Sequence, residues 1–308
     1  MKQIINRGSF LTLMFMLLGC LSLYAADNDL ITRQITIKLE KAGTLPDKIG
    51  SSKKYKITNL KIIGEINGTD LNMIREMAGR TAFSNYTDGK LSVLDLSEAK
   101  IVEGGGYYYY GNKSYNYYYT SNDVIGCCAF RDCSGLTSLT LPAGITWIDV
   151  GAFYGCSGLT NLNLPDGITK IDYGAFWGCS GLTSLNLPAG ITVIDDSAFY
   201  GCSGLTSIYV YAEEVPKING NAFEGCDAKK CTLYVPMGTC DDYWISDFGD
   251  YFENIVEFDV TGIDKTTTST DVEEVARYSV NGQRLSAPTK GLNIVRYSDG
   301  SVKKVTVR

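Results

Sequence analysis

Residues 133–153 read CSGLTSLTLPAGITWIDVGAF, residues 156–176 CSGLTNLNLPDGITKIDYGAF, and residues 179–199 CSGLTSLNLPAGITVIDDSAF. The same sentence is written three times at a step of 23 residues. Aligned on Ala-Phe-x-x-Cys, the phenylalanines Phe130, Phe153, Phe176, Phe199 and Phe223 and the cysteines Cys133, Cys156, Cys179, Cys202 and Cys226 carry the step outward on both sides. A fixed period in this range marks a stacked repeat architecture.

The physics of one unit explains the stacking. Leu-x-x-Leu-x-Leu-Pro sends alternate apolar residues inward along a short strand and stops it at a proline, which has no N–H to give to a ladder. After a glycine turn, Ile-x-x-Ile makes a second inward pair, and Ala-Phe-x-x-Cys closes the coil. A single coil cannot cover its own apolar side, so coils bury one another. The register extends to Ile57/Leu60/Ile62, Leu91/Leu94/Leu96, Leu205/Ile208/Val210 and a last rung at Leu233/Val235 before Pro236. That predicts about seven coils, above the roughly three that such stacks need.

This unit resembles the BspA-like (Treponema pallidum-type) leucine-rich repeats of bacterial surface proteins. The resemblance is close over 120–236 and looser over 30–105. It implies a mainly β solenoid with a sheet on its concave side, no catalysis, and binding of host or bacterial surface macromolecules. The expected organisation is a signal peptide (1–26), an α/β N-terminal cap with degenerate repeats (27–105), a Tyr-rich loop (106–120), the solenoid (121–260), a Thr-rich linker (261–274) and a small β tail (275–308).

The ends add an address. Lys2 and Arg7 precede an apolar run that closes at Ala25-Ala26, the pattern of a secretory signal and too short for a membrane span. Leu17-Leu18-Gly19-Cys20 also resembles a lipobox, which would acylate Cys20; the apolar residues that follow favour simple cleavage. In the cap, Thr69-Asp70 starts a helix with Leu71, Ile74, Met77 and Ala78 on one face. The tail holds strand-like runs at 276–280, 292–297 and 302–307 with turns at Asn281-Gly282 and Asp299-Gly300. Its Asn-Gly-Gln-Arg, Lys290-Gly291-Leu292 and closing Lys303-Lys304 resemble the C-terminal sorting domain of type IX-secreted Bacteroidetes proteins.

Composition removes several classes of function. There is no histidine, so Ser–His–Asp and Cys–His systems and imidazole zinc sites are excluded. No cofactor is implied. Without Lys2 and Arg7 the 28 basic residues fall to 26 against 34 acidic ones, a net charge of −8. That excess argues against nucleic acid or an anionic membrane as partner. An extracellular protein or glycan is the expected partner.

Candidate contact residues fall in four groups. The concave positions alternating with buried leucines are Ser138, Thr140, Asn161, Asn163, Ser184, Asn186 and Tyr209. Tyr154, Trp177 and Tyr200 follow the repeat phenylalanine one coil apart, and form either an exposed stripe for stacking a ligand or rings that pack on one another. Trp147 stands in a variable column with Lys170 and Val193. Gly104–Thr120 carries eight tyrosines, among them Tyr108, Tyr109, Tyr117 and Tyr118; such residues offer rigid amphipathic contact area, or else a low-complexity insertion.

Asp149, Asp172 and Asp195 recur at the coil step, a spacing close to that of a retaining glycosidase pair. A carbohydrate-active hydrolase is therefore the rival reading, and a structural spacer a third. Each Asp, however, can cap the turn after it, and Asn219 replaces it in the last unit, as a cap tolerates and an acid would not. The ladder cysteines read as buried core thiols, with Cys231 and Cys240 the candidate disulfide and Cys127-Cys128 unresolved.

Overall fold

The computed structural model describes residues 30–111, 116–227, 229–259, 274–279, 284–297 and 302–307. The signal segment with Cys20, residues 260–273, and both tail turns lie outside the described residues.

The chain enters through β1 (Ile35–Leu39), α1 (Leu45–Ile49), β2 (Asn59–Ile66), α2 (Gly68–Met77) and β3 (Val93–Ile101). Asn67 rather than Thr69 caps α2: its side chain accepts from the Thr69 amide, and Asp70 reaches back to the Asn67 amide at 3.0 Å. Leu71, Ile74, Met77 and Ala78 are buried, as the helical spacing predicts. Next come β4 (Gly104–Gly111) and β5 (Asn116–Thr120), paired antiparallel. The tyrosine segment expected as a loop is thus a β ribbon. Its runs of tyrosine, a residue with high strand propensity, suit a pleated surface better than irregular chain.

From there the chain winds in coils of two unequal strands. The short ones are β6 (Val124–Ile125), β8 (Trp147–Ile148), β10 (Lys170–Ile171), β12 (Val193–Ile194) and β14 (Lys217–Ile218), which make one parallel sheet in sequence order. The longer ones are β7 (Ser138–Thr140), β9 (Asn161–Asn163), β11 (Ser184–Leu187), β13 (Ser207–Val210), β15 (Thr232–Pro236) and, after helices α3 (Cys240–Trp244) and α4 (Asp247–Tyr251), β16 (Asn254–Phe258). They form two parallel runs, β1-β2-β3-β7-β9 and β11-β13-β15-β16. All seven anticipated rungs are present, and β1 and β16 add one more at each end. Pairing such as Leu139↔Leu162 and Ile208↔Leu233 keeps equivalent residues side by side.

Inside, every coil contributes the same layer. Leu182, Leu185, Leu187, Ile191, Ile194, Ala198, Phe199 and Cys202 are all buried. The five repeat phenylalanines form one stack, with centroids 5.0–5.4 Å apart and planes within 9°. Each such pair adds about 0.5–1.5 kcal/mol beyond its buried area. The ladder cysteines are free, buried thiols that donate to the phenylalanine carbonyl one coil back: Cys156 to Phe130 at 3.0 Å, and Cys179 to Phe153 and Cys202 to Phe176 at 3.2 Å.

A stack has two open ends, and each is closed by different chemistry. In the interior, backbone N–H groups of one coil donate to carbonyls of the next, as Cys128 to Val150, Phe130 to Ala152 and Asp132 to Tyr154. One step earlier, the equivalent carbonyls are those of Cys127, Ala129 and Arg131, with no preceding coil to serve them. The Tyr108 hydroxyl donates to Cys127 O at 3.0 Å, and the fully buried Arg75 guanidinium donates to Ala129 O at 3.0 Å and Arg131 O at 3.4 Å, with Cys128 O at 2.9 Å beside them. Arg80 adds a bond to Asp132 O at 3.0 Å. At the far end the closure is apolar: Phe248 and Phe252 pack on Phe223 at 5.9 and 5.2 Å.

The tail is a four-stranded antiparallel sheet of β17 (Glu274–Ser279), β18 (Arg284–Leu285), β19 (Gly291–Tyr297) and β20 (Val302–Val307), in the order β18-β17-β19-β20. Three of these correspond to the expected runs, and β18 is a short addition.

Candidate recognition surfaces

The long-strand ladder has an outward face as regular as its core. One outward row runs Lys61, Asp95, Thr140 and Asn163 across β2, β3, β7 and β9, then Asn186, Tyr209, Tyr234 and Val256 across β11, β13, β15 and β16. The neighbouring row carries Ser138 and, beyond it, Ser184, Ser207, Thr232 and Asn254. Ser138, Thr140, Asn163, Ser184, Asn186 and Tyr209 therefore share one face, and the backbone of Asn161 in β9 pairs with that of Ser138.

The character of this face changes along its length. At the N-terminal end Lys61 pairs with Asp95 at 3.0 Å and Glu98 at 2.8 Å. Neutral hydroxyls and amides fill the middle. At the other end Tyr209 and Tyr234 stack at 4.4 Å and 7°, and Phe258 meets Tyr209 and Tyr211 edge-on at 5.5 and 5.2 Å. Sequence reading found only Tyr209 in this cluster. Tyr234 in Thr-Leu-Tyr-Val-Pro matches Tyr209 in Ser-Ile-Tyr-Val-Tyr and was legible; Phe258 lies past a helical insertion that hides the register.

On the opposite side of the coil, Tyr154, Trp177 and Tyr200 stand in a half-buried stack, with centroids 5.8 and 4.2 Å apart. Arg131 lies 3.9 Å over Tyr154 and ends the column by a cation–π contact. Ring faces are spent on one another, so edges are what this stripe presents. Trp147, 37% exposed, lies beside Lys170, whose ammonium is 5.6 Å from its ring.

The tyrosine hairpin divides sharply. Tyr117 is 51% exposed and Tyr109 and Tyr118 are half-buried, their rings tilted against each other at 5.9 Å. Tyr108 is 1% exposed and cannot touch a ligand. Its candidacy is corrected here: alternation on the strand turns it inward, where it serves the orphan carbonyl of Cys127, and burial pushes its phenol up.

The aspartate ladder is occupied by the turns. Asp149, Asp172 and Asp195 each accept the next residue's backbone N–H, at 2.7, 3.1 and 2.9 Å. Lys170 bridges Asp172 at 3.2 Å and Asp195 at 4.0 Å, and Asn219 donates to Asp195 at 3.1 Å. Burial raises the Asp149 carboxyl, whereas the Asp196 amide lowers that of Asp195. Among the described residues no group of acids, cysteines and histidines could hold a metal ion.

The proposed Cys231–Cys240 disulfide is absent; both are free thiols. Cys231 points into the core, while the Cys240 thiol at the start of α3 is turned toward Ile255 O. The pair that does meet is Cys127 and Cys128, with sulfurs 3.6 Å apart. The hydrogen bond from Cys127, aided by Arg131 against the cost of burial, holds the Cys128 thiol down to about 7 and drives that of Cys127 up.

The family profile of the BspA type leucine rich repeat region matches residues 100–230 in six copies. Residues 100–230 are a BspA-type leucine-rich-repeat region. A leucine-rich-repeat protein of T. pallidum is similar at 30% identity over 38% of this chain, with a TM-score of 0.35. This chain spans about half of that one, 54% of its length. A leucine rich cell surface protein from Faecalibacterium prausnitzii is similar at 15% identity over 67% of this chain and 65% of its own, with a TM-score of 0.32. A leucine-rich repeat protein from Bacteroides ovatus shows 17% identity over 73% of this chain and 69% of its own, with a TM-score of 0.25. No protein of curated function matches. The matched residues hold the whole short-strand sheet and β7, β9, β11 and β13 of the long-strand ladder, and no helix among the described residues is long and apolar enough to cross a membrane.

Proposed function

We propose that this chain is an exported, non-catalytic recognition protein that binds an extracellular protein or glycan of host or bacterial origin across the open face of its long-strand ladder. One observation carries the reading: the outward rows are in register from β2 to β9 and again from β11 to β16, and grade from an ion pair through neutral amides to the Tyr209/Tyr211/Tyr234/Phe258 cluster. Recognition surfaces combine such an aromatic anchor with a polar field around it. The Trp177 stack and the exposed hairpin tyrosines are auxiliary contacts. The basic, apolar start of the chain and the antiparallel tail support export and surface display, with Cys20 as the alternative point of lipid attachment.

The test is a binding screen of residues 27–308 against matrix proteins, mucins and a glycan array, with a Tyr209→Ala/Tyr234→Ala double variant and a Trp177→Ala variant run alongside. A hit weakened at least tenfold in the double variant, at unchanged circular dichroism, is the expected result. Binding that survives both variants would overturn the open-face assignment, and a complete absence of hits would favour a spacer.

A further inference from the structure

The coil that opens the exact repeats departs from its successors at one place. Aligned on Ala-Phe, Cys127 stands where the next three coils place Val150, Tyr173 and Asp196, and Cys128 where they place Gly151, Gly174 and Ser197. The backbone at the second of these positions is left-handed in all four coils, with φ of +57° at Cys128, Gly151 and Gly174 and +58° at Ser197. Glycine adopts that conformation freely, whereas a residue with a Cβ is held in it against steric strain. Cys128 thus occupies a position that suits the smallest side chains. The core thiol of this coil is already supplied by Cys133, which is fully buried. Packing therefore gives no reason for the Cys127-Cys128 pair.

Its surroundings give a chemical one. Cys127 is half-buried and Cys128 is 7% exposed, and the Cys127 thiol donates to the Cys128 sulfur across 3.6 Å. Gly151 of the next coil leaves a notch beside them. The point where a side chain would begin there lies 3.6 Å from Cys128 Sγ, 3.7 Å from Tyr154 Cβ and 3.8 Å from the Arg131 guanidinium. The hydrogen bond from Cys127 and the charge of Arg131 favour the Cys128 thiolate against the cost of burial. Cys127, which gives that hydrogen bond and has Asp149 nearby, is held protonated. A thiolate with a protonated thiol next to it is arranged for oxidation that ends in a disulfide.

We propose that Cys127 and Cys128 form a modification site at which hydrogen peroxide closes a reversible disulfide between adjacent residues. The Cys128 sulfur attacks one peroxide oxygen, the O–O bond breaks, and hydroxide leaves, so that Cys128 becomes a sulfenic acid. The Cys127 sulfur then attacks the Cys128 sulfur and displaces the hydroxyl, which leaves as water with the Cys127 proton. In sum, two thiols and one peroxide give one disulfide and two waters. The sulfurs close from 3.6 Å to about 2 Å. Adjacent Cα atoms lie about 3.8 Å apart, less than an ordinary disulfide spans, so the bond is strained and easily reduced. The modification falls on the seam between cap and solenoid, where Cys127 O holds Tyr108 and Cys128 O holds Arg75.

Trypsin isolates the pair, because residues 114–131 contain no Lys or Arg before Arg131 and no other cysteine. Folded residues 27–308 are treated with hydrogen peroxide, denatured, blocked with N-ethylmaleimide, digested and analysed by mass spectrometry. The peptide should lose two hydrogens and regain them with dithiothreitol, at least tenfold faster than any ladder cysteine is oxidised. Cys127→Ser should instead yield a Cys128 sulfinic acid, a gain of two oxygens, and Cys128→Ser should leave Cys127 unoxidised. Accessibility alone gives the reverse order, since Cys127 is the more exposed of the two. Both variants should fold, because Ser197 already holds the Cys128 position at φ +58° and the Cys127 position accepts valine, tyrosine and aspartate in later coils. The proposal is overturned if the pair oxidises no faster than the ladder cysteines, or if Cys127 oxidises in Cys128→Ser as fast as the parent pair does. Neither result touches the open-face assignment.

Discussion

At the scale of single residues, identity and role part company most clearly in the tyrosine run. Tyr107, Tyr108, Tyr109 and Tyr110 are chemically equal in the sequence, yet the fold makes Tyr108 a buried structural plug and leaves its neighbours half-buried. No composition argument separates them, because the partner of Tyr108 is a carbonyl nineteen residues away. The same neighbourhood sets the reactivity of Cys128, which sits at φ +57° with Cys127 and Arg131 against its sulfur. The Cys127 hydrogen bond and the Arg131 charge favour its thiolate, whereas Cys179 and Cys226 are pushed up to about 12 by burial. Iodoacetamide should therefore label Cys128 ahead of the ladder cysteines, with a rate that rises through pH 7 and saturates above pH 8. Arg131→Ala should move that midpoint upward, which mass spectrometry of quenched time points can read.

At the scale of elements, the coil was legible and the hairpin was not. Leu-x-x-Leu-x-Leu-Pro and Ile-x-x-Ile announce their strands because apolar period and proline stop agree. The hairpin depends on a contact between distant segments, Gly104–Gly106 against the start of α2, which no local period encodes. Likewise the α2 cap was placed two residues late, since Asn67 and Asp70 act as a reciprocal pair and either could have been first. Gly105→Val should cost on the order of 2 kcal/mol, because its backbone has positive φ and its Cβ would meet Asn67. Hydrogen exchange should show the Tyr110 amide losing protection in that variant while Leu185 in β11 keeps its own.

At the scale of the whole molecule, stability is a sum over neighbours, and the two kinds of end make that sum asymmetric. Phe176→Ala removes the middle ring of the five-membered stack and should cost about 3–5 kcal/mol, measured by denaturant unfolding. Arg75→Met should cost on the order of 3 kcal/mol by stranding the carbonyls of Ala129 and Arg131, although it deletes no part of the repeat. Tryptophan fluorescence can follow both unfolding transitions. The repeat told the core in advance, rung by rung, because each buried Leu, Ile, Phe and Cys recurs. The end closures were beyond it, because Arg75 and Phe248 occur once each in their roles and have no period to betray them.

The orphan carbonyls at one end and the phenylalanine lid at the other make the protein a ruler with finished tips. Every interior coil meets its neighbours through the same hydrogen bonds, so the molecule has no memory of how many coils lie between. Duplicating residues 156–178 should thus leave both closures intact and lengthen the open face by one step of about 4.8 Å. The reach of its binding surface is then a quantity that recombination between repeats can lengthen or shorten by whole coils, without redesign of either end.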